Sequence, residues 1–353
     1  MAGAVMPTLR AIPRRLSRSL EPASASRASA ALMMSARSRS PSPGRLRVRG
    51  SIDVMVDSLL NTCIAFSYLH LYSCHPRGVA IMTTTPELTE HRIATEVGEL
   101  AVLDSGASGK PTIVFRHGIF LDRELWRPIA LQFASTHRVV LVDSPGHGES
   151  GDPGRQYSLG EDARASIQIM NALGIEQAAL IGHSWGGMSS LRVALAEPER
   201  VTALALVNTP LKPGTPAERA RFAALQLLLR VIGAPRWYGR QIVPSLFDPS
   251  AHDSAIATRM VERLRVANRF MVARAMVAVL VRPDDVTGRF GELRMPVLAI
   301  AGEDDYVLKP AAAELLANAV PHARVVRVAG QHATPVEQPE ALVAELTRLL
   351  NEG

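Results

Sequence analysis

Ser184 stands between two glycines in Gly182-His183-Ser184-Trp185-Gly186, the pattern G-x-S-x-G. A serine hydroxyl attacks a carbonyl only with help. It needs a base to take its proton, and donors to hold the negative charge that develops on the oxygen. Glycines on either side suit a serine on a sharp turn from strand to helix, because a side chain there would hold the two elements apart. The flanks agree: the β-rich "QAALI" precedes the motif, and "GGMSSLRVAL" reads as a helix after it.

The base should be a histidine. Three follow Ser184: His252, His322 and His332. His252 falls in a helical stretch, and His322 precedes the last strand, at the wrong end of the sheet. His332 follows the strand "ARVVRVAG" directly, at the end where open α/β sheets bind ligands, and is the expected base. His183 should leave the turn in another direction and serve in packing. An orienting carboxylate is available in "AIAGEDDYVLKP", where Asp305, three residues past Gly302, is preferred over Glu303 and Asp304. A further acid position one strand earlier holds Asn208, which does not ionise. For the oxyanion, the N–H of Trp185 is one expected donor. The N–H of Ile119 in "RHGIF" is the other, with Phe120 as the adjacent candidate and His117 and Gly118 shaping the turn.

Strands and helices alternate in the order these residues require. "HRIATEV" and "GELAVLDSG" read as a strand pair turning at Gly98, and "PTIVFRHG" and "HRVVLVDSPGHGES" as strands breaking into loops. Ser158 and Glu161 form a capping box for a helix that Gly174 stops. "VTALALVNT" is another strand. The alternation pauses over residues 211–290, which hold helices and no convincing strand. One begins at Thr215-Pro216-x-Glu218 and ends at Gly233; a second long helical region spans about residues 254–282 and stops at Pro283. It resumes with "MPVLAIAGEDD", "PAAAELLANAV", "ARVVRVAG" and "PEALVAELTRLL". Buried strands alternating with amphipathic helices predict an α/β fold, a mainly parallel sheet covered on both faces, with the helices of residues 211–290 inserted as a lid. Phe120, Trp237, Phe270, Met271 and Met276 are the expected pocket walls, favouring an apolar substrate.

These motifs, "RHGIF", "DSPGHGES", "GHSWGG", "AGEDDYVLKP" and "GQHATPVEQPE", resemble the α/β-hydrolase superfamily in their order, over about residues 90–350. The resemblance implies an α/β-hydrolase fold, a Ser184–His332–Asp305 triad, no metal and no cofactor. Members with an aspartate nucleophile, the epoxide hydrolases and haloalkane dehalogenases, are disfavoured by Ser184. Arg116 departs from the apolar residue usual before the His-Gly pair. The first expectation is a serine hydrolase of carboxylic esters acting on a small molecule. Alternatives are a C–C bond hydrolase or cofactor-free perhydrolase on the same triad, and a non-catalytic ligand-binding protein.

Charge separates the front of the chain from the rest. The formal net charge is +6, yet residues 1–81 alone carry +8, from eleven arginines against Glu21, Asp53 and Asp57. Residues 82–353 therefore carry −2, which gives no support to nucleic-acid binding. Residues 1–50 are too poor in periodic apolar residues to build a core. Residues 54–74 contain Asp57 and make a poor membrane span. Residues 1–81 are expected to be an extension outside the fold, by mis-assigned start rather than as a transit peptide, leaving a cytoplasmic enzyme of residues 82–353. Cys63 and Cys74 both lie in that extension, at a spacing that fits no zinc pattern.

Overall fold

The apolar runs become strands because their alternate side chains find cover on both sides. β1 (Thr89–Thr95) and β2 (Gly98–Asp104) form a hairpin with Gly98 at φ +99°. β3 (Thr112–Arg116), β4 (Arg138–Val142), β5 (Ala178–His183), β6 (Val201–Val207), β7 (Val297–Gly302) and β8 (Arg324–Val328) follow. The structure, a computed structural model, describes residues 87–107, 109–234, 236–305 and 310–352. The expectations for residues 1–81, including both cysteines, lie outside these.

The described strands form one sheet in the order β1-β2-β4-β3-β5-β6-β7-β8. The pairs β1–β2 and β2–β4 are antiparallel, and the other pairs are parallel. The chain leaves β3 toward one side to form β4, then returns past β3 to form β5. The carboxyl ends of β3 and β5 are thus neighbours at the point where the winding reverses, the position at which open α/β sheets bind ligands.

The helices are α1 (Arg127–Phe133), α2 (Leu159–Ala172) and α3 (Trp185–Ala196). Next come α4 (Pro216–Ile232), α5 (Arg236–Leu246), α6 (Ala255–Val266) and α7 (Arg269–Met276), then α8 (Pro310–Ala319), α9 (Thr334–Glu337) and α10 (Pro339–Leu350). Period-two alternation divides the strand side chains between two apolar clusters. Val114, Val140, Val142 and Leu180 join residues of α2 and α3; Ile113, Phe115, Leu141 and Ile181 join residues of α1 and α10. Both capping boxes form as expected, Ser158 with Glu161 and Thr215 with Glu218. The helical region expected over residues 254–282 is divided into two helices. A capping side chain is the reason: that of Asn268 accepts the N–H of Phe270 and starts α7 afresh, and α7 runs into a π-turn at Val277–Val281.

Helices α4–α7 occupy the chain between β6 and β7 and rest on the loops after β3 and β4. Arg259 pairs with Asp122, Arg263 with Glu149 and Arg274 with Asp152. The basic partners are 23–39% exposed, so each pair adds little stability alone. Together they fix where the insertion sits.

Arg116, the departure noted in the sequence, is buried beneath the loops. Its guanidinium lies 2.7 Å from Asp162 of α2 and also donates to Ser166 and Ser144. Both charged side chains are almost completely shielded from solvent. Removing one member leaves the other buried without its counter-charge. Arg116→Met should therefore destabilise the protein by about 3–5 kcal/mol, whereas Arg116→Met with Asp162→Leu should recover most of that loss. Denaturant unfolding of both single variants and the pair measures the coupling; additive losses would contradict it.

Candidate functional site

Ser184 closes β5 and caps α3, with its backbone at φ +51° and ψ −114°. A non-glycine residue holds such a conformation only when its surroundings enforce it. Three glycines make the enforcement possible. A Cβ on Gly182 would lie 2.4 Å from the backbone of Gly186, one on Gly186 would lie 2.3 Å from the carbonyl oxygen of Arg116, and one on Gly187 would lie 1.9 Å from Thr209 Oγ1. No side chain fits at these points, so β3, β5 and α3 meet at glycine distances. The N–H of Ser184 donates to Val207 in β6 (2.8 Å), which ties the turn to the neighbouring strand.

The turn after β3 lies directly against this serine. A Cβ on Gly118 would stand 3.1 Å from Ser184 Cβ and 2.6 Å from His183 Nδ1. Ile119 and Phe120 follow, half-buried, with Phe120 at φ +68°, and the N–H of Leu121 closes the turn onto Gly118. Trp185 is the first residue of α3, so its N–H has no acceptor within the helix and lies at the positive end of the helix dipole. His117 accepts the N–H of Ser144 at Nε2 (2.9 Å), which leaves Nδ1 to donate to the Gly118 carbonyl (2.7 Å). Burial holds its pKa well below the ordinary histidine range. This neutral ring joins the turns after β3 and β4.

His332 and Asp305 meet on the loops after β8 and β7. His332 Nδ1 is 3.0 and 3.2 Å from the two carboxylate oxygens of Asp305, and both residues are buried. Glu303 and Asp304 are exposed, so Asp305 is the carboxylate brought to the ring. The loops can approach because Gly302 has no side chain: a Cβ there would lie 2.1 Å from the Gln331 carbonyl oxygen. With Nδ1 turned to the carboxylate, Nε2 is the ring nitrogen left to accept a proton.

Three supports were not foreseen from the sequence. Asn208, fully buried at φ +47°, donates to Asp305 Oδ2 at 2.7 Å and to the Gln331 carbonyl at 3.1 Å, while Thr334 donates to its amide oxygen. His183, expected to pack, has its Nε2 2.7 Å from the His332 carbonyl and holds that loop from below. Glu337 accepts the N–H groups of Gln331 and Asp248, both at 2.7 Å, joining the His332 loop to the helical insertion. The readable signal for Asn208 was its position at the end of β6, level with the acid. His183 and Glu337 act on backbone groups brought close only by the fold.

The expected pocket residues divide. Met276 is buried in the apolar cluster, Met271 packs against Gly146 in the loop after β4, and Phe120 lies on the turn beside Ser184. Trp237 and Phe270 are exposed on the insertion. They are 54% and 39% exposed, and the guanidinium groups of Arg230 and Arg269 lie over the Phe270 ring. His322 is held at the opposite end of the sheet by the Met295 carbonyl, and His252 by that of Phe247.

Comparison with known proteins agrees with this architecture. Residues 111–234 match a family model described as the alpha/beta hydrolase fold. A protein of Azorhizobium caulinodans, provisionally named carbamate hydrolase RutD, is 30% identical over 218 residues, which are 61% of this chain and 82% of that protein. The 3-oxoadipate enol-lactonase 2 of Acinetobacter baylyi is 26% identical, over 67% of this chain and 87% of its own. Among solved structures, a hydrolase from Pseudomonas aeruginosa PA01 superposes with a TM-score of 0.68 at 27% identity, covering 75% of this chain and 98% of that one. The chain belongs to the α/β-hydrolase superfamily.

Proposed function

We propose that the protein is a serine hydrolase that cleaves carboxylic esters of small, apolar molecules through an acyl-enzyme. The observation that carries this reading is the buried His332–Asp305 pair, 3.0 Å apart, in a fold whose strand-to-helix turn presents Ser184 beside Gly118. In this reading Ser184 Oγ attacks the carbonyl carbon as His332 Nε2 takes its proton. Asp305 orients the ring and stabilises the imidazolium, and the N–H groups of Ile119 and Trp185 hold the oxyanion. His332 then gives its proton to the departing alkoxide. Water, deprotonated by the same ring, releases the acid and restores Ser184. The chemistry requires no group beyond these side chains and water.

The helices between β6 and β7 serve as the lid. Their ion pairs to Asp122 and Glu149, and the contact of Met271 with Gly146, set them on the loops that surround the serine. Phe120, Met271 and Met276 supply the apolar side of the site. The names of the relatives support a substrate with a carbonyl flanked by a heteroatom: a lactone is a cyclic ester, and a carbamate carries the same carbonyl with nitrogen on its acyl side. A carbamate is accordingly the second substrate class to assay, on the same three residues.

Ser184→Ala should lower turnover of a nitrophenyl ester by about 10⁴-fold or more while leaving the melting temperature nearly unchanged. Retained turnover in the purified variant would remove the serine from the mechanism. Asp305→Asn should also cut kcat strongly, by around 10⁴-fold, since a neutral amide does not stabilise the imidazolium and can turn its NH₂ to the ring, which favours the wrong tautomer. Asp304→Asn, at an exposed position, should leave kcat within about twofold; the opposite ranking would move the acid.

His183 is excluded as the base by its environment, and that exclusion has its own signature. Burial, with the neighbouring His332 adding to it, lowers its pKa from 6.5 to about 3. In the unfolded chain the ring takes up a proton near pH 6.5, whereas the folded protein resists protonation until about pH 3. The unfolded state thus binds more protons across that window, and stability is lost as pH falls through it, at up to about 1.4 kcal/mol per pH unit from this residue. Unfolding free energies measured from about pH 7 to about pH 4 should fall less steeply for His183→Gln than for the unaltered protein. Equal slopes would mean that the ring is protonated in the fold.

A further inference from the structure

The helical insertion has an exposed apolar surface, and a basic charge that is only partly used to seat it through the pairs of Arg259, Arg263 and Arg274 with Asp122, Glu149 and Asp152. Residues 216–282 contain eleven arginines, no lysine and four acidic residues, a formal net charge of +7. Since residues 82–353 together carry −2, the sheet and its flanking helices are acidic and the insertion is the basic part.

An apolar crest lies within this basic region. Leu227, Leu228, Val231 and Ile232, near the end of α4, are 55%, 50%, 70% and 51% exposed. Their spacing places them on one side of the helix, away from the buried Gln226 and Leu229. Phe270, in the first turn of α7, adjoins the crest through Arg230 and Arg269, and Trp237, in the first turn of α5, is exposed five residues further along the chain from Ile232. Arg230 and Arg269 lie 5.5 and 5.2 Å from the centre of the Phe270 ring, and Arg269 donates to the Val231 carbonyl at 2.7 Å. Basic groups are thereby fixed at the edge of the crest.

Scattered exposed leucines are ordinary, but a contiguous group of large apolar side chains rimmed by arginine calls for a cover. A two-fold dimer through this face would set basic surface against itself, a net +4 for the insertion once Arg259, Arg263 and Arg274 are discounted as paired, which charge repulsion opposes. An anionic bilayer meets both features. Leucine, valine and phenylalanine enter the boundary of the acyl chains, and guanidinium groups pair with lipid phosphates. Among the described residues no helix is long and apolar enough to cross a membrane, so such contact would be peripheral. We propose that the insertion docks the protein on negatively charged lipid bilayers through the crest of α4, with Phe270 at its edge.

Co-sedimentation of the full chain with vesicles tests this. Vesicles of phosphatidylcholine mixed with phosphatidylglycerol should bind the protein, and pure phosphatidylcholine should bind it far less. Leu228→Glu with Val231→Glu should weaken binding by about tenfold or more, since two side chains lose their apolar burial. Because both positions are at least half exposed, the melting temperature should hold, showing that the fold is intact. Raising salt from about 50 to about 500 mM should release the protein, as screening shortens the reach of the arginines. No vesicle binding, equal binding to both lipid mixtures, or binding indifferent to the double variant would overturn the proposal. So would a concentration-dependent dimer in sedimentation velocity that the same double variant abolishes, which would assign the crest to self-association.

Discussion

The glycine-lined junction of β3, β5 and α3 sets the geometry on which the rest of the site depends. Ser184 is forced to positive φ where the chain reverses from strand to helix, and the reversal is tight enough only because Gly182 and Gly186 bring backbones, and Gly187 the Thr209 side chain, to distances that exclude a Cβ. The same closeness places the Gly118 turn against the serine. Backbone strain at Ser184 is held by elements on several sides: the Val207 carbonyl in β6, the Arg116 carbonyl in β3, and the first turn of α3. A turn fixed in this way does not need to reorganise when a ligand arrives, which is the condition under which aligned dipoles stabilise charge most effectively.

The other half of the site is assembled from loops, and its order comes from polar contacts rather than close packing. Asp305 is bound by Asn208, the His332 loop by His183 and Glu337, and Asn208 by Thr334. The partners come from three segments of the chain: Asn208 after β6, His183 at the end of β5, and Thr334 and Glu337 in α9. The carboxylate and the imidazole therefore sit in a hydrogen-bonded network whose members, apart from the half-buried Glu337, are buried, the condition for holding a charged group out of water.

Most of the fold was legible because its signals are local. Alternating apolar residues, the capping boxes at Ser158 and Thr215, and the turn at Gly98 each act within a few residues, and each appears where the sequence placed it. Asp305 could be preferred to its neighbours from its spacing after Gly302, but only the fold buries it and leaves Glu303 and Asp304 outside. The break at Asn268 was hidden because a capping side chain in an otherwise helical pattern gives a weak signal. The outward placement of Trp237 and Phe270 was hidden because helical periodicity does not say which face of a helix in the insertion meets the core. Arg116 looked like a departure in the sequence; the acid that accounts for it, Asp162, lies on a helix 46 residues away.

β1 and β8 are the outermost strands of the described sheet, and what they carry limits how the molecule meets others of its kind. An outer strand offers unpaired backbone groups to any passing strand, which is how sheets grow into fibrils. Here the outer strands bear Glu90, His91 and Arg92 on one side, and Arg324 and Arg327 on the other. A second copy adding to either edge would have to bring charged side chains into register and strip water from them. Crowded solutions of the protein should consequently resist growth into cross-β aggregates through their native edges, and clumping on heating should await the opening of the sheet itself.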